Sequence, residues 1–349
     1  MENIVKKDIC SFNYGELAEE MHAMGEKPFR SRQLYEWLHV KLADSFEEMT
    51  NLSKSLRGKL SQAYAIPKAE VVERQISKED STEKFLFGLE DGNMIESVLM
   101  RHPYGNSVCV SSQAGCRMGC RFCASAIGGL KRNLAASEML RQIYQIQRLT
   151  KERVSHVVVM GTGEPLDNYE NLLKFIEILT DANGLHIGQR NVTVSTCGIV
   201  PNMRRLANEK LQITLALSLH AFTQEKREYL MPVASRYDLQ DVLDACSFYF
   251  EKTGRRVTFE YALAKGVNDS NEDADGLAKL LSGRNCHVNL IPINPVKERE
   301  FKESGQPAVL AFQNKLVKSG INATVRRELG RDIDAACGQL RKKYMDTQE

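Results

Sequence analysis

The sequence predicts an α/β protein: an incomplete (βα)6 barrel with an N-terminal helical domain and a small β extension. Three observations carry this. Between Cys109 and Gly320, apolar strand patterns alternate with helical ones about six times, as in a parallel sheet, and fall short of the eight units of a closed barrel. Residues from about 12 to 65 place apolar side chains at helical spacing, and residues from about 69 to 112 alternate as strands do. The expected domains are 1–66, a helical module; 67–106, a β-rich connecting extension; and 107–349, the partial barrel with a C-terminal tail.

In the helical module, Leu34, Trp37 and Leu38 form one stripe and Leu52, Leu56 and Leu60 another, with Gly25 and Pro28 marking entry to the second helix. In the extension, Phe85, Phe87 and Leu89 alternate with Leu86 and Gly88, Asp91-Gly92 supplies a hairpin turn, and Met94 to Met100 reads as the returning strand. Glu96 stands out there, an acid among apolar neighbours, for which a solvent-facing position is the default. A strand Ser107–Ser111 follows. Beyond it, Met139, Ile143 and Ile146 mark a helix, Val157–Met160 a buried strand, and Asn168 an N-cap for a helix with Leu172, Ile176 and Leu179. Strands at 191–195 and 213–220, a helix carrying Leu239, Leu243, Cys246 and Phe250, and strands at 257–261 and 287–291 around a helix near 272–282 complete the units. In the 213–220 strand, Thr214, Ala216 and Ser218 would face the lumen and the leucines the helices. The short strand Asn322–Arg327 leads into the tail.

Composition bounds the class. The chain has 349 residues, 42% hydrophobic and 26% charged, as in ordinary globular proteins, and a net charge of +2 that neither demands nor excludes nucleic acid. Met1 to Asp8 lacks the apolar run of a signal peptide, and no stretch approaches the ~18 apolar residues of a membrane span. A cytoplasmic location without membrane partners is expected. Nine cysteines, an odd number, then argue for reduced thiols, metal ligation or catalysis and against a disulfide framework.

The chemistry concentrates in Cys116, Cys120 and Cys123, spaced CxxxCxxC. Iron–sulfur clusters are normally held by four cysteines, so three in one loop leave an iron open to a substrate or cofactor. Phe122, just before the last of them, strengthens the match. Zinc is the alternative, although it usually takes four ligands, often from CxxC pairs. In parallel β/α folds, ligands gather at the carboxyl ends of strands. Gly161-Thr162-Gly163-Glu164-Pro165 follows one such end. Its glycines permit close approach to a ligand, or merely make a tight turn, and Glu164 offers a carboxylate to an amino group. Ser195 ends the next strand, and Ser218-Leu219-His220 the one after. His220 alone reads as readily structural, and Asn294, before Pro295, as a turn former. In the tail, Cys337 lies between small residues and is either incidental or a nucleophile. Cys197, Cys246 and Cys286 fit core patterns.

The cysteine loop resembles that of the radical S-adenosylmethionine (radical SAM) enzymes. With Gly161–Pro165, Ser218-Leu219-His220 and Ala336–Leu340 in the same order, nearly the whole chain resembles the bacterial adenine-C2 methyltransferases of 23S rRNA and tRNA. Its most specific parts are Cys109–Cys123 and Asp332–Leu340. The resemblance implies a radical SAM barrel, with Cys116, Cys120 and Cys123 holding a [4Fe–4S] cluster. Gly163, Glu164, Ser195, Ser218, Leu219, His220 and Asn294 would bind S-adenosyl-L-methionine. Cys337 would accept a methyl group, Glu96 a proton, and Cys109 would act as a second thiol that closes a transient disulfide with Cys337. It further implies a helical module of the RNA-binding kind, a 23S rRNA substrate in a ribosome precursor, tRNA as a second substrate, a reducing electron donor, and a monomer.

Basic pairs at Lys131-Arg132, Arg204-Arg205, Arg255-Arg256, Arg326-Arg327 and Arg341–Lys343 are the candidate RNA contacts; singly, each reads as surface solubility. Two other functions stay open on the sequence: an adenine-C8 rRNA methyltransferase conferring antibiotic resistance, and a non-enzymatic iron–sulfur RNA-binding protein.

Overall fold

Ten strands of a single sheet pair in the order in which the chain makes them. The computed structural model describes residues 6–296 and 298–333. Helices α1 (Tyr14–Ala23), α2 (Pro28–His39) and α3 (Lys54–Ala63) precede the sheet. It opens with β1 (Ala69–Ile76), β2 (Glu83–Leu89), β3 (Met94–His102) and β4 (Gly105–Cys109), joined antiparallel. From β4 onward every junction is parallel: β5 (Val154–Val159), β6 (Val192–Thr196), β7 (Thr214–Ser218), β8 (Val257–Leu263), β9 (Cys286–Pro292) and β10 (Ala323–Val325).

Each parallel strand except the last leads into helix. α4 (Ala136–Thr150) follows β4, α5 (Tyr169–Thr180) follows β5, and α6 (Val200–Asn208) follows β6. α7 (Gln224–Leu230) and α8 (Leu239–Thr253) follow β7, α9 (Asn271–Leu281) follows β8, and α10 (Gln306–Lys318) follows β9. This is the expected (βα)6 barrel with a short closing strand. Among the described residues β10 does not pair back to the first strands, so the barrel stays open. The extension is not a separate sheet: β1–β3 prolong the barrel sheet beyond β4.

The apolar alternation is used as the sequence implies. Leu215 and Leu217 of β7 pack into the core with Val157, Val194 and Phe259, while Ser218 turns to the lumen. Asn168 does stand at the N-terminus of α5, but its side chain makes no cap. Its Nδ2 donates instead to Ser112 O at 2.8 Å and Leu134 O at 2.7 Å. Those carbonyls are buried, where an unpaired acceptor is costly, so they outcompete the helix end. Glu96 also departs from its default: it is buried and does not face solvent.

α1–α3 close over an apolar cluster of their own, including Leu34, Leu38, Leu52, Leu56 and Leu60. This unit meets the barrel through buried and partly buried polar contacts on α4 and just past the end of α5. Ser137 Oγ donates to Asp8 at 2.5 Å, Arg141 pairs with Asp44 at 2.6 Å, and Tyr35 donates to Asp181 at 3.0 Å. His39 Nδ1 meets the Tyr144 hydroxyl at 2.7 Å. No described helix is long and apolar enough to cross a membrane.

Burial pushes the His39 imidazole down to about 3, so it stays neutral in the folded protein. Unfolded histidine titrates near 6.5, so below that pH the unfolded chain binds a proton that the folded one refuses, and stability falls as pH falls. At pH 5 this single residue should cost about 2 kcal/mol relative to pH 7.5. In denaturant titrations at both pH values, His39→Gln, which keeps a partner for Tyr144 and does not titrate, should lose about 2 kcal/mol less than the wild type.

Candidate active site

The three cysteines sit in a loop whose ends are pinned by main-chain contact. Gln113–Gly115 pairs antiparallel with Leu130–Asn133, and Cys116 N donates to Gly129 O at 3.2 Å. Gly115 has φ +77°, and a Cβ there would lie 2.0 Å from Gly129 O, so only glycine fits. Within the loop, Arg121 N donates to Leu230 O at 2.9 Å, and Arg117 pairs with Asp167. Cys116 is buried, Cys120 and Cys123 partly so. Burial pushes the Cys116 thiol up to about 12 and Cys120 well above its ordinary value, and the neighbouring thiols push the same way. As thiolates they therefore need a cationic partner in contact.

That donor set suits a [4Fe–4S] cluster better than zinc. The thiols are close enough to influence one another's ionisation. Yet among the described residues no three His, Cys, Asp or Glu side chains are gathered tightly enough to hold one ion. A cluster spreads its thiolates over separate irons, and with three it retains one iron without a protein ligand.

The Gly161–Glu164 loop lies directly on the segment entering the cysteine loop. Ser112 N and Gln113 N both donate to Thr162 O, at 2.9 and 3.1 Å. Gln113 Oε1 accepts from Glu164 N at 2.8 Å. A Cβ on Gly161 would sit 2.7 Å from Ser111 Oγ, and one on Gly163 (φ +108°) 2.6 Å from Gln113 Cβ. The close approach these glycines permit is thus to the protein's own chain. Glu164 is buried. Its Oε2 accepts from Cys197 N at 2.8 Å and its Oε1 from Leu166 N at 3.0 Å, and the Thr196 and Cys197 side chains also hydrogen-bond it.

Beside the cysteine loop, a cavity of about 440 Å³ opens at the carboxyl ends of the strands. Ser195, Ser218, His220 and Asn294 line it together with Cys109, Glu96 and Cys123, whereas Gly163, Glu164, Leu219, Cys116 and Cys120 lie off its wall. The volume falls in the range of small-molecule sites. Thr162 Oγ1, buried in the wall, finds no hydrogen-bond partner among the described residues, the kind of orphan that a ligand satisfies. His220 (φ +58°) accepts the Ala262 N–H on Nδ1 at 2.9 Å, and burial pushes it down to about 3. The ring is neutral, with its proton on Nε2, and stands edge-on to Phe122 at 4.9 Å.

Cys109 and Glu96 come from adjacent strands. Glu96 Oε1 lies 3.4 Å from Lys84 Nζ, both side chains buried. Burial pushes Cys109 up to about 11, partly offset by the Arg326 guanidinium. Cys337 lies outside the described residues.

Several lining residues were not among the sequence candidates. Glu260 is an acid inside an apolar strand, the same signal that flagged Glu96. It accepts from Asn289 at 2.8 Å, and burial raises its pKa. Lys84, at the start of β2, had no such signal. Of the described basic pairs, Arg326-Arg327 reaches the cavity wall. Arg132 is engaged by Asp91 and Glu138, and Arg205 by Glu170. Arg341–Lys343 lie outside the described residues.

Comparison with known proteins agrees with this geometry. A model of the radical SAM superfamily matches residues 110–280, and one of the ribosomal RNA large subunit methyltransferase N-terminal domain matches residues 7–66. A probable dual-specificity RNA methyltransferase RlmN of Lachnospira eligens is 61% identical, over 97% of this chain and 97% of its own length. A protein of the same description from Lachnoclostridium phytofermentans is 59% identical over 99% and 98%. The crystal structure of a radical SAM methyltransferase from Sphaerobacter thermophilus matches with a TM-score of 0.92 at 42% identity, covering 95% of this chain and 98% of that one.

Gly163→Ala combines left-handed strain with a clash against Gln113, and should destabilise the protein by about 2–4 kcal/mol. The displaced cysteine loop should also lower the iron and sulfide bound on reconstitution, read by iron and sulfide assay.

Proposed function

The chain belongs to the radical SAM RNA methyltransferases, and from that premise we propose that it methylates C2 of an adenosine in 23S rRNA, at the peptidyl transferase centre, and in tRNA, through an S-methylcysteine on Cys337. Its cofactors are a [4Fe–4S] cluster and S-adenosylmethionine. An RNA substrate is supported by the relatives' description as dual-specificity RNA methyltransferases and by the match of 7–66 to a ribosomal RNA methyltransferase domain. The protein works as a monomer in the cytoplasm and draws electrons from a reducing donor.

Adenine C2 is electron-poor and cannot displace a methyl group from SAM; the bound cofactors would supply one-electron chemistry, removing a hydrogen atom from a methyl group held on sulfur and taking up the electron left over when its carbon joins C2. Cys116, Cys120 and Cys123 hold the cluster. Gly163, Glu164, Ser195, Ser218, Leu219, His220 and Asn294 hold SAM, with His220 donating through Nε2 because its Nδ1 is occupied by Ala262. Cys337 would accept a methyl group from one SAM and, after that methyl has given up a hydrogen atom to the one-electron chemistry of a second, deliver its carbon to C2, joining RNA to protein through sulfur. Glu96 takes the C2 proton, beside the counter-charge of Lys84. Cys109 then attacks the sulfur of Cys337. The bond between that sulfur and the transferred carbon breaks with its electron pair on carbon, the carbon takes a proton back from Glu96 to complete the methyl group, the methylated RNA leaves, and a Cys109–Cys337 disulfide remains to be reduced. The target base must leave its stack to reach this cavity, which costs least in a loop.

The observation that carries this reading is that Cys109 and Glu96, on neighbouring strands, face the same cavity as Cys123, with Arg326-Arg327 on its wall. The test is nuclease digestion and mass spectrometry of rRNA and tRNA from cells with and without the protein. The expected product is 2-methyladenosine. Cys337→Ala should abolish it, and Cys109→Ala should accumulate a covalent protein–RNA adduct on denaturing gels. Finding 8-methyladenosine without 2-methyladenosine, or full product from Cys337→Ala, would overturn the assignment.

A further inference from the structure

Among the described residues two arginines are buried, and they are held in opposite ways. Arg141 pairs with the Asp44 carboxylate at 2.6 Å. Arg227, on α7, is bound by main-chain carbonyls alone among the described residues. Its Nη2 donates to Cys197 O at 2.7 Å and lies 3.5 Å from Ser218 O, and its Nη1 lies 3.5 Å from Tyr237 O. Its Nε finds no acceptor there. A guanidinium keeps its proton in proteins, so Arg227 is a buried cation whose partners are neutral. Burying a charge in this way is costly unless an opposite charge offsets it.

The chain is shaped around this cation. Gly198 (φ +104°) follows β6, and a Cβ on it would lie 3.1 Å from Arg227 Nη2 and from a Val242 methyl, so the turn admits the guanidinium because it is glycine. The segment that carries Arg227 also carries the cysteine loop. Leu230 O, three residues on, accepts the Arg121 N–H at 2.9 Å, and a Cβ on Gly119 would lie 3.6 Å from Pro232 Cγ. The main chain on both sides of Cys120 therefore rests on the end of α7. Burial and the Cys123 and Cys116 thiols push the Cys120 thiol up, and Arg227 pulls it down. Burial lowers Arg227 in turn, and the Cys197, Cys120 and Cys246 sulfurs raise it.

The anion that this cation lacks is the one the cysteine loop makes when it is filled. Three thiolates outweigh the two positive charges of an oxidised [4Fe–4S] core by one, and an electron from a reducing donor brings the excess to two. We propose that Arg227 is the counter-charge of the cluster, a buried cation that favours its reduced form and so raises its reduction potential. The proposal rests on Cys116, Cys120 and Cys123 as the cluster's ligands. A nearby positive charge stabilises most the form with the larger negative charge, and salt screens a buried pair little.

The test uses full-length, cluster-loaded protein, anaerobic and without SAM or RNA. Dithionite, acting through viologen mediators, delivers one electron to each cluster, and electron paramagnetic resonance reads the reduced fraction. Arg227→Gln, which keeps an amide donor, and Arg227→Met, which keeps bulk without a donor, should both make reduction about tenfold less favourable, a fall of about 59 mV for one electron. Arg227→Lys keeps the charge and should hold the wild-type potential. A role in hydrogen bonding alone would instead separate methionine from glutamine. Iron and sulfide assays and thermal melting identify any variant that fails to load or fold. Loading kept by lysine and lost in both neutral variants would support the charge, whereas loading lost in all three would overturn it. A glutamine variant with full iron and the wild-type potential, or a lysine variant that falls with it, would overturn the counter-charge alone. A wild-type protein without a reducible cluster would overturn the ligand assignment and the counter-charge together.

Discussion

Two positions without side chains allow the Gly161–Glu164 loop to lie on Ser111–Gln113 at main-chain distance, and the site is built outward from that contact. Ser111 Oγ donates to Glu96 O and accepts from Thr162 N, which ties β3 to the end of β5. Gln113 receives Glu164 N, and Glu164 receives Cys197 N, which carries the same linkage to the end of β6. Gln113 also opens the hairpin that pins the cysteine loop. A displacement of a few tenths of an ångström at this contact would propagate to the thiols, the strand ends that line the cavity and Glu96 together, because packed interiors transmit strain and do not absorb it.

The barrel was legible because parallel strands buried on both faces appear as short apolar runs, as at Val157–Val159, and because helices of period 3.6 separate them. The continuity of β1–β3 with the barrel was not legible, since strand pairing across a sheet is a long-range fact that local periodicity does not encode. The same holds for Asn168. Its identity suits a helix cap, and only the fold brings two needy carbonyls to it. At the site, strand-end position located Ser195, Ser218, His220 and Asn294, which do line one cavity. Glu260 carried the signal that drew attention to Glu96 and was passed over as one strand residue among several. Lys84 precedes an apolar run without interrupting it, so its burial follows from topology alone.

Charge is distributed in two regimes. Arg132 and Arg205 pair at or near the surface, where such bridges contribute little. Lys84, Glu96 and Glu260 are held inside, where an ionised group is costly unless compensated. Apolar side chains would fill that space more cheaply, so these charges on the cavity wall mark it as a polar surface within the barrel. The helical unit meets the barrel by the first logic at its rim and by the second at His39 and Arg141, so its seating is sensitive to acid.

The strictly sequential order of the sheet bears on biosynthesis. Each strand adds to the edge left by the strand made before it, so no strand has to be inserted between two that are already paired, and the sheet can grow as the chain leaves the ribosome. The cysteine loop and the strand ends around it are complete before β10 has been translated, and Cys337 comes later still. A polypeptide cut short near its end would therefore be a finished scaffold lacking the cysteine proposed as its methyl acceptor. The direction of translation thus sets the order in which the parts of the cavity wall are made, with the residues after β10 supplied last.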